Sequence, residues 1–161
     1  MAARNGDLAR AVRAPSGADP SMSLPVSRVH VTELRVRYAE TDQMGVVYHA
    51  NYLAWCEVGR TEFIRTGGMS YRQMEETGVA LAVADASIRF HAPARYDDVV
   101  RVETTLTDVR SRSVTFAYLI SRVDDGARLV SASTMLVSLG RGSRPMAMPP
   151  QVRDILERAR A

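Results

Sequence analysis

The sequence predicts an α+β fold in which a curved antiparallel sheet of about five strands wraps around one long central helix. Two patterns lead to this prediction. In one segment, residues 51–65, apolar residues recur at the spacing of a helix. The apolar face of this helix is so broad that other parts of the fold must pack against it on several sides. Most of the other segments alternate as strands do and are joined mostly by short turns, an order typical of an antiparallel sheet.

The composition fits one globular domain. The chain has 161 residues, of which 46% are hydrophobic and 24% charged, enough to bury a core without a disulfide or a structural metal. The lone cysteine, Cys56, fits a reducing compartment. No apolar run approaches the roughly 20 residues that span a bilayer, and the N-terminus lacks the apolar stretch of a secretory signal. We therefore expect a cytoplasmic protein with no transmembrane segment.

The charges argue against one class of partner. All 21 basic residues are arginine, and the net charge is only +3. A charge this mild, without a basic stripe that carries aromatic residues, does not fit a nucleic-acid-binding protein. Codon bias of the genome explains the missing lysine; alternatively, arginine suits bidentate contacts with the phosphates of an anionic small molecule.

Three parts are predicted along the chain: a disordered N-terminal arm over residues 1–27, a folded domain over 28–148 and a C-terminal helix over 149–161. The arm is rich in Ala, Arg, Gly, Ser and Pro and has no sustained period. In the folded part, residues 29–38 alternate in part and form the predicted first strand. Residues 39–51 form a loop that is polar at its start.

The central helix carries a polar pair within its apolar face. Arg60 falls inside this face and Glu57 lies at its border, which indicates an i,i+3 ion pair that satisfies a partly buried arginine rather than a catalytic pair. Thr66-Gly67-Gly68 ends the helix. Ser70 and Gln73 then form a capping box that opens a short helix. The apolar face consists of Tyr52, Leu53, Trp55, Cys56, Gly59, Phe63 and Ile64.

Four further strands and a final helix complete the prediction. Asp125-Gly126 marks a hairpin turn before the last strand. The final helix begins at Pro149-Pro150, where proline is tolerated in the first turn. The strands are predicted over residues 79–91, 100–107, 114–120 and 129–139.

The stretch from Tyr38 to Arg60 carries the chemistry. Asp42 lies in a loop shortly before the buried helix, whose first N–H groups are unpaired and whose dipole favours negative charge. A carboxylate beside such donors suits acyl transfer or hydrolysis, because the donors stabilise a developing oxyanion. Gly45 permits a close approach of the backbone, and His49 is placed to orient water or move a proton. The alternative is purely structural: Asp42 forms an Asx turn, Asn51 caps the helix and His49 is a structural histidine.

Other kinds of catalytic site are not indicated. The three histidines, His30, His49 and His91, do not have the spacing of a metal site. Cys56 lies in the middle of the helix on its apolar face and is a poor nucleophile. No serine lies in a nucleophile-elbow pattern.

The same stretch resembles the signature of the 4-hydroxybenzoyl-CoA thioesterase branch of the hot-dog superfamily. The likeness is closest to the short-chain acyl-CoA thioesterases associated with the Tol–Pal envelope system. The matching residues are Tyr38, Thr41, Asp42, Gly45, Val46, Val47, Tyr48, His49, Asn51, Tyr52, Glu57 and Arg60. The resemblance covers roughly residues 30–152 and includes Phe90, Pro93, Ala94, Arg95, Asp98 and Arg144-Pro145.

This resemblance implies hydrolysis of an acyl-CoA thioester with Asp42 as the catalytic carboxylate, acting either as nucleophile or as general base. It also implies that the backbone N–H of His49 polarises the thioester carbonyl. The resemblance further implies a homodimer in which two sheets become continuous, with the active site at the dimer interface, and homotetramers are common in this family. Coenzyme A is then part of the substrate, and no cofactor or metal is expected.

Several side chains are candidates for holding the substrate. Tyr48 and Asn51 are predicted substrate-binding residues, although Tyr48 equally suits the core. Arg110 and Arg112, between two strands, are candidates for the phosphates of coenzyme A, and Arg95 is a weaker one. The alternative for the first two arginines is a solvated turn.

Two other functions stay open. A hot-dog dimer can hold acyl-CoA or a partner protein without turning it over, but a pure binder has no need of Asp42. In the other alternative, the thioester is carried by an acyl carrier protein instead of coenzyme A.

Overall fold

Five strands and three helices make up the described part of the chain. The computed structural model describes residues 27–161; residues 1–26, which hold nearly all of the predicted N-terminal arm, lie outside the described residues. In chain order the elements are β1 Val29–Arg35, α1 Asn51–Thr66, α2 Tyr71–Glu76, β2 Ala80–Phe90, β3 Val99–Val109, β4 Ser113–Arg122, β5 Arg128–Leu139 and α3 Pro150–Arg160.

The strands form one sheet in the order β1-β3-β4-β5-β2, with every neighbouring pair antiparallel. The pairs β2–β5, β3–β4 and β4–β5 each contain a register shift. Such shifts bend a strand and increase its twist, which curves the sheet. The predicted α+β fold, with five antiparallel strands and one long helix, is confirmed.

The central helix α1 packs against β1 and β3. Trp55, Cys56 and Phe63 are at most 3% exposed and form the middle of the core. Gly59 lets the helix approach the sheet closely, because a Cβ at this position would lie 2.5 Å from Oγ1 of Thr104. The burial of α1 therefore depends on a residue without a side chain as well as on its apolar face.

Two predicted details are wrong. β1 ends at Arg35 rather than Tyr38, because the N–H of Val36 bonds to the loop oxygen of Asp98 and Tyr38 begins a 3₁₀ turn. Leu53, expected on the buried face of α1, is 39% exposed. The buried stripe of the helix is narrower than the sequence predicts, since it faces only the side that packs on the sheet.

The predicted ends of the later helices are confirmed. Ser70 Oγ accepts from the N–H of Gln73, and Gln73 Oε1 accepts from the N–H of Ser70, which completes the capping box before α2. α3 begins at Pro150 with Pro149 at its N-cap position. No helix among residues 27–161 combines the length and apolarity needed to cross a membrane.

Strand β2 is an unusually exposed edge of the sheet. Among the strands of residues 27–161 it pairs only with β5, and residues 83–87 are all exposed. Val83 and Phe90, both large and apolar, are each 49% exposed. A long apolar edge with unpaired backbone groups is a template for pairing with another strand.

Candidate active site

A cavity of about 320 Å³ opens where α1 begins, within the size range of small-molecule sites. Its wall combines the loop before α1, the first turn of α1 and the segment that ends β2. Asp42 and His49, the two predicted catalytic residues, both line it. The apolar part of the wall is formed by Val46, Val47, Tyr52, Phe90, Ala92 and Pro93.

Asp42 is held in a tight turn. Its N–H donates to the oxygen of Val46 at 2.8 Å, its own carbonyl accepts from Gly45 at 2.9 Å, and its Oδ1 accepts from the N–H of Met44 at 2.8 Å. Gly45 has φ +74°, a conformation that favours glycine. The Asx turn is therefore present, and it fixes one carboxylate oxygen while Oδ2 makes no hydrogen bond to the described residues.

The first turn of α1 has free donors. Ala50 occupies the N-cap position without a side-chain hydrogen bond, so the interpretation of Asn51 as the cap is wrong. Within the described part of the chain, the N–H groups of His49, Ala50 and Tyr52 have no backbone acceptor. Free N–H groups at the positive end of a helix dipole stabilise negative charge. The N–H of His49, expected to polarise the thioester carbonyl, is among these free donors.

Glu40 is a residue of this site that the sequence analysis missed. Its carboxylate is 9% exposed and accepts from the indole N–H of Trp55 at 3.1 Å and from the N–H and guanidinium of Arg37 at 2.8 and 3.1 Å. Its backbone oxygen accepts from Nδ2 of Asn51 at 2.8 Å and from the N–H of Tyr48 at 2.9 Å. Glu40 therefore ties the loop that precedes α1 to the helix itself.

The Glu40 side chain is a buried anion. Burial raises its pKa, but the N–H of Arg37, the indole of Trp55 and the Arg37 guanidinium together lower the pKa by more, so that it lies below the ordinary value. The group is thus charged at neutral pH. The sequence around Glu40 does not predict its burial, because a glutamate in a polar loop is usually exposed to solvent. Its burial depends on the contact with Trp55 in the folded chain.

The aromatic residues near the cavity divide between core and surface. Tyr52 is 2% exposed, its hydroxyl accepts from the N–H of Ala94 at 2.9 Å, and burial raises its pKa. Tyr48 is 48% exposed, and its ring lies 4.4 Å from that of His49 between centroids. Tyr48 is therefore not a core residue. Its role in substrate binding stays a prediction, as does that of Asn51, whose amide nitrogen is already bonded within the loop.

The turn that carries Arg110 and Arg112 lies at the far end of the sheet from the cavity. The backbone oxygen of Arg112 accepts from Ser138, and Ser138 pairs with Leu81 near the start of β2. The cavity adjoins the other end of β2, about 30 Å away at roughly 3.3 Å per residue. A single chain therefore does not bring these arginines to Asp42.

Cys56 is not a nucleophile. Its thiol is fully buried, and burial raises its pKa to about 12, which leaves almost no thiolate at neutral pH. Over residues 27–161, no group of three or more His, Cys, Asp or Glu side chains is placed to hold a metal ion.

Known proteins share both the sequence and the architecture. The profile of the Thioesterase-like superfamily matches residues 36–156, a span that includes every residue lining the cavity. The putative acyl-CoA thioesterase YneP of Bacillus subtilis is 46% identical over 94 residues, which cover 57% of this chain and 68% of YneP. The acyl-CoA thioester hydrolase YbgC of Escherichia coli O6:H1 is 33% identical over 120 residues, which cover 74% of this chain and 89% of YbgC. The crystal structure of DHNA-CoA thioesterase from Staphylococcus aureus superimposes with a TM-score of 0.77 at 30% identity, covering 81% of this chain and 89% of that one.

Proposed function

We propose that this chain, which belongs to the thioesterase-like superfamily, hydrolyses acyl-CoA thioesters to a free acid and coenzyme A with Asp42 as the catalytic carboxylate. The superfamily match over residues 36–156 confirms the thioesterase resemblance and the hot-dog fold. One observation carries the catalytic proposal: Asp42 and His49, whose N–H is a free donor at the first turn of α1, face the same cavity.

Two routes fit this arrangement. In the first, Asp42 takes a proton from water as the water oxygen bonds to the thioester carbon. The N–H of His49 holds the negative carbonyl oxygen, the C–S bond breaks, and the proton passes to the sulfur of coenzyme A. In the second, a carboxylate oxygen of Asp42 attacks the carbon and expels the thiolate, and water then hydrolyses the resulting anhydride and restores the carboxylate.

Thiol release from a panel of acyl-CoAs tests the proposal. We expect at least one of a short aliphatic, a long aliphatic and an aromatic acyl-CoA to be hydrolysed with kcat/KM above about 10⁴ M⁻¹s⁻¹, the lower end of the usual enzymatic range. Tight acyl-CoA binding with no thiol release from any substrate would instead support the binding module. Release only from acyl carrier protein thioesters would support the other alternative.

We further propose that two copies pair through β2, so that their sheets become continuous. The charged side chains of β1, the other edge strand, already have partners: Glu33 bonds Arg101 at 2.9 Å and Arg35 bonds Asp97 at 3.1 Å. Both edge strands expose apolar side chains, Val29 and Val31 on β1 and Val83 and Phe90 on β2. Residues 83–87 of β2 are exposed without interruption, however, whereas exposed and half-buried residues alternate along β1. The edge of β2 therefore fits a second chain better than that of β1.

The charges on β2 favour one register for this pairing. Asp85, Ser87 and Arg89 alternate along the strand and so face the same side of the sheet. Neither Asp85 nor Arg89 has an ion-pair partner within residues 27–161. If Ser87 lies opposite its own copy in an antiparallel pair, each Asp85 lies opposite the partner's Arg89. Opposite charges in such positions contribute about 0.2–1 kcal/mol per pair.

Charge reversal tests this register. Asp85→Arg or Arg89→Asp alone places like charges opposite each other twice in the dimer, and each is expected to raise its dissociation constant by about tenfold, or roughly 1.4 kcal/mol. The double variant restores opposite charges and should return toward the wild-type value. Analytical ultracentrifugation over a range of protein concentrations measures the dimer dissociation constant of each variant. Arg72→Asp, on exposed α2, is the control, and a double variant no tighter than either single one would refute the register.

We also propose that Arg110 and Arg112 bind the phosphates of coenzyme A held at the partner's Asp42. In the proposed register, the start of β2 in one copy runs beside the end of β2 in the other. The turn that carries these arginines then lies on the side of the partner's cavity. Arg110 already bonds Asp108 at 2.7 Å, so Arg112 is the freer of the two.

Replacing both arginines by glutamine separates phosphate binding from catalysis. We expect KM for acyl-CoA to rise about tenfold, since charge-assisted contacts with phosphate are lost. KM for the matching acyl-pantetheine, which lacks the nucleotide, should stay within about twofold of wild type. Arg101→Gln, an exposed change in β3 beside the edge strand β1 and remote from β2, is the matched control. Equal changes for both substrates would remove the assignment.

A further inference from the structure

Helix α1 buries one positive charge that the hydrolysis does not use. The Arg60 side chain is 10% exposed, and its Nε has no hydrogen-bond partner among the described residues. The predicted i,i+3 ion pair with Glu57 is present, with Nη2 of Arg60 3.9 Å from Oε2 of Glu57. The Glu57 side chain, however, is 68% exposed. Since a water-exposed carboxylate at this distance compensates a buried cation only weakly, Arg60 remains open to a second anion.

A second cavity, of about 240 Å³, opens beside Arg60. It is lined by Glu57, Arg60, Thr61, Tyr71, Leu81 and Val83. The Tyr71 hydroxyl already donates to the backbone oxygen of Leu81. The buried Tyr118 hydroxyl lies close to the guanidinium, but it is neutral and leaves the positive charge of Arg60 without a buried counter-ion. Arginine presents a planar fork that binds a carboxylate through two parallel N–H bonds.

The Arg60 cavity opens toward the free edge of β2. Leu81 and Val83 belong to that strand, and Val83 and Phe90 lie on the same side of the sheet, since each pairs with a buried residue of β5. In the register centred on Ser87, Leu81 and Val83 run beside the segment of the partner that follows Phe90. The Arg60 cavity of one copy therefore adjoins the Asp42 cavity of the other.

We propose that Arg60 binds a carboxylate at the far end of the acyl group whose thioester lies at the partner's Asp42, so that the enzyme acts on coenzyme A thioesters of dicarboxylic acids. This inference rests on the proposed function and on pairing through β2. Because a water molecule occupies about 30 Å³ in the liquid, the cavity holds roughly eight water-sized groups, enough for a carboxylate and a short methylene chain.

Two substrates of equal chain length test the proposal on the 161-residue chain. Adipoyl-CoA and hexanoyl-CoA both have six acyl carbons, but only adipoyl-CoA ends in a carboxylate. We expect wild-type kcat/KM to favour adipoyl-CoA at least about tenfold, as one charge-assisted contact provides. Arg60→Gln should abolish this preference while hexanoyl-CoA hydrolysis stays within about threefold of wild type. Arg65→Gln, an exposed arginine of the same helix, should keep the preference.

The outcomes separate this proposal from the proposed function. Hydrolysis of hexanoyl-CoA without preference for adipoyl-CoA would overturn the Arg60 site and leave the thioesterase intact, whereas no hydrolysis of any acyl-CoA would refute the function itself. If Arg60→Gln lowers kcat/KM equally for both substrates, Arg60 has a structural role only and does not bind the carboxylate. If that variant does not fold, inhibition of the wild-type enzyme by free adipate and free hexanoate decides. Adipate should inhibit at least about tenfold more strongly, and equal inhibition would overturn the proposal.

Discussion

Replacing Asp42 by asparagine is expected to lower kcat for acyl-CoA hydrolysis by about 100- to 10,000-fold, the usual contribution of a positioned acid–base group. An amide neither takes a proton from water nor attacks a thioester as a carboxylate does. The expectation holds for both routes, since each requires a charged oxygen on Asp42. KM should change by less than about threefold, because the amide has the shape of the carboxylate and fits the same cavity.

The Asp42→Asn variant tests chemistry rather than folding. The amide oxygen can still accept the N–H of Met44, which the carboxylate accepts at 2.8 Å, so the turn is retained. Asp124→Asn, an exposed change in the turn between β4 and β5, is the matched control and should leave kcat unchanged. Near wild-type turnover in Asp42→Asn would show that another group performs the hydrolysis.

The second large effect is expected at Glu40. Alanine there leaves the indole N–H of Trp55 and the N–H of Arg37 without their acceptor. Hydrogen bonds to charged groups contribute about 1.5–3 kcal/mol each, and we expect the free energy of unfolding to fall by about 2–4 kcal/mol. Since the loop that carries Asp42 also loses its anchor on α1, kcat should fall by about tenfold or more. Glu40→Gln keeps an acceptor for Trp55 and should be intermediate in both measurements.

The charge of Glu40 also predicts a pH dependence of stability. Its folded pKa lies below the ordinary value of 4.5, so its charge stabilises the fold fully above that value and the contribution is lost as pH falls through the folded pKa. The free energies of unfolding of wild type and Glu40→Gln, measured with denaturant, should therefore differ by a constant amount between about pH 6 and 8, and the difference should begin to shrink as the pH falls below about 4.5. Glu76→Gln, 65% exposed on α2, should show no such convergence. A difference that grows on acidification would contradict the assignment.

Patterns of residues close in sequence predicted the helices and strands, whereas no such pattern predicts the order of the strands in the sheet. The broad apolar face of α1, the Ser70–Gln73 capping box and the proline before α3 each depend on residues close in sequence, and each is found in the structure. The position of β2 beside β5 depends on pairing between segments some fifty residues apart. The spacing of apolar residues within one segment does not predict which other segment it pairs with. For the same reason the exposed edge of β2 became visible only in the fold.

The candidate site divides in the same way. Asp42 and the N–H of His49 were predictable, because a loop carboxylate before a buried helix is a local pattern and the signature around it is long. Glu40 was not, since its burial depends on Trp55, fifteen residues later in the chain. Arg110 and Arg112 do not meet Asp42 within one chain, and their role stays a prediction.

Each turnover releases a free thiol, which bears on the burial of Cys56. Thiol–disulfide exchange requires a thiolate that can reach a disulfide sulfur. Cys56 is fully buried and its pKa is raised to about 12, so the folded protein meets neither condition. The folded enzyme is therefore not expected to form a mixed disulfide with its own product when coenzyme A is oxidised.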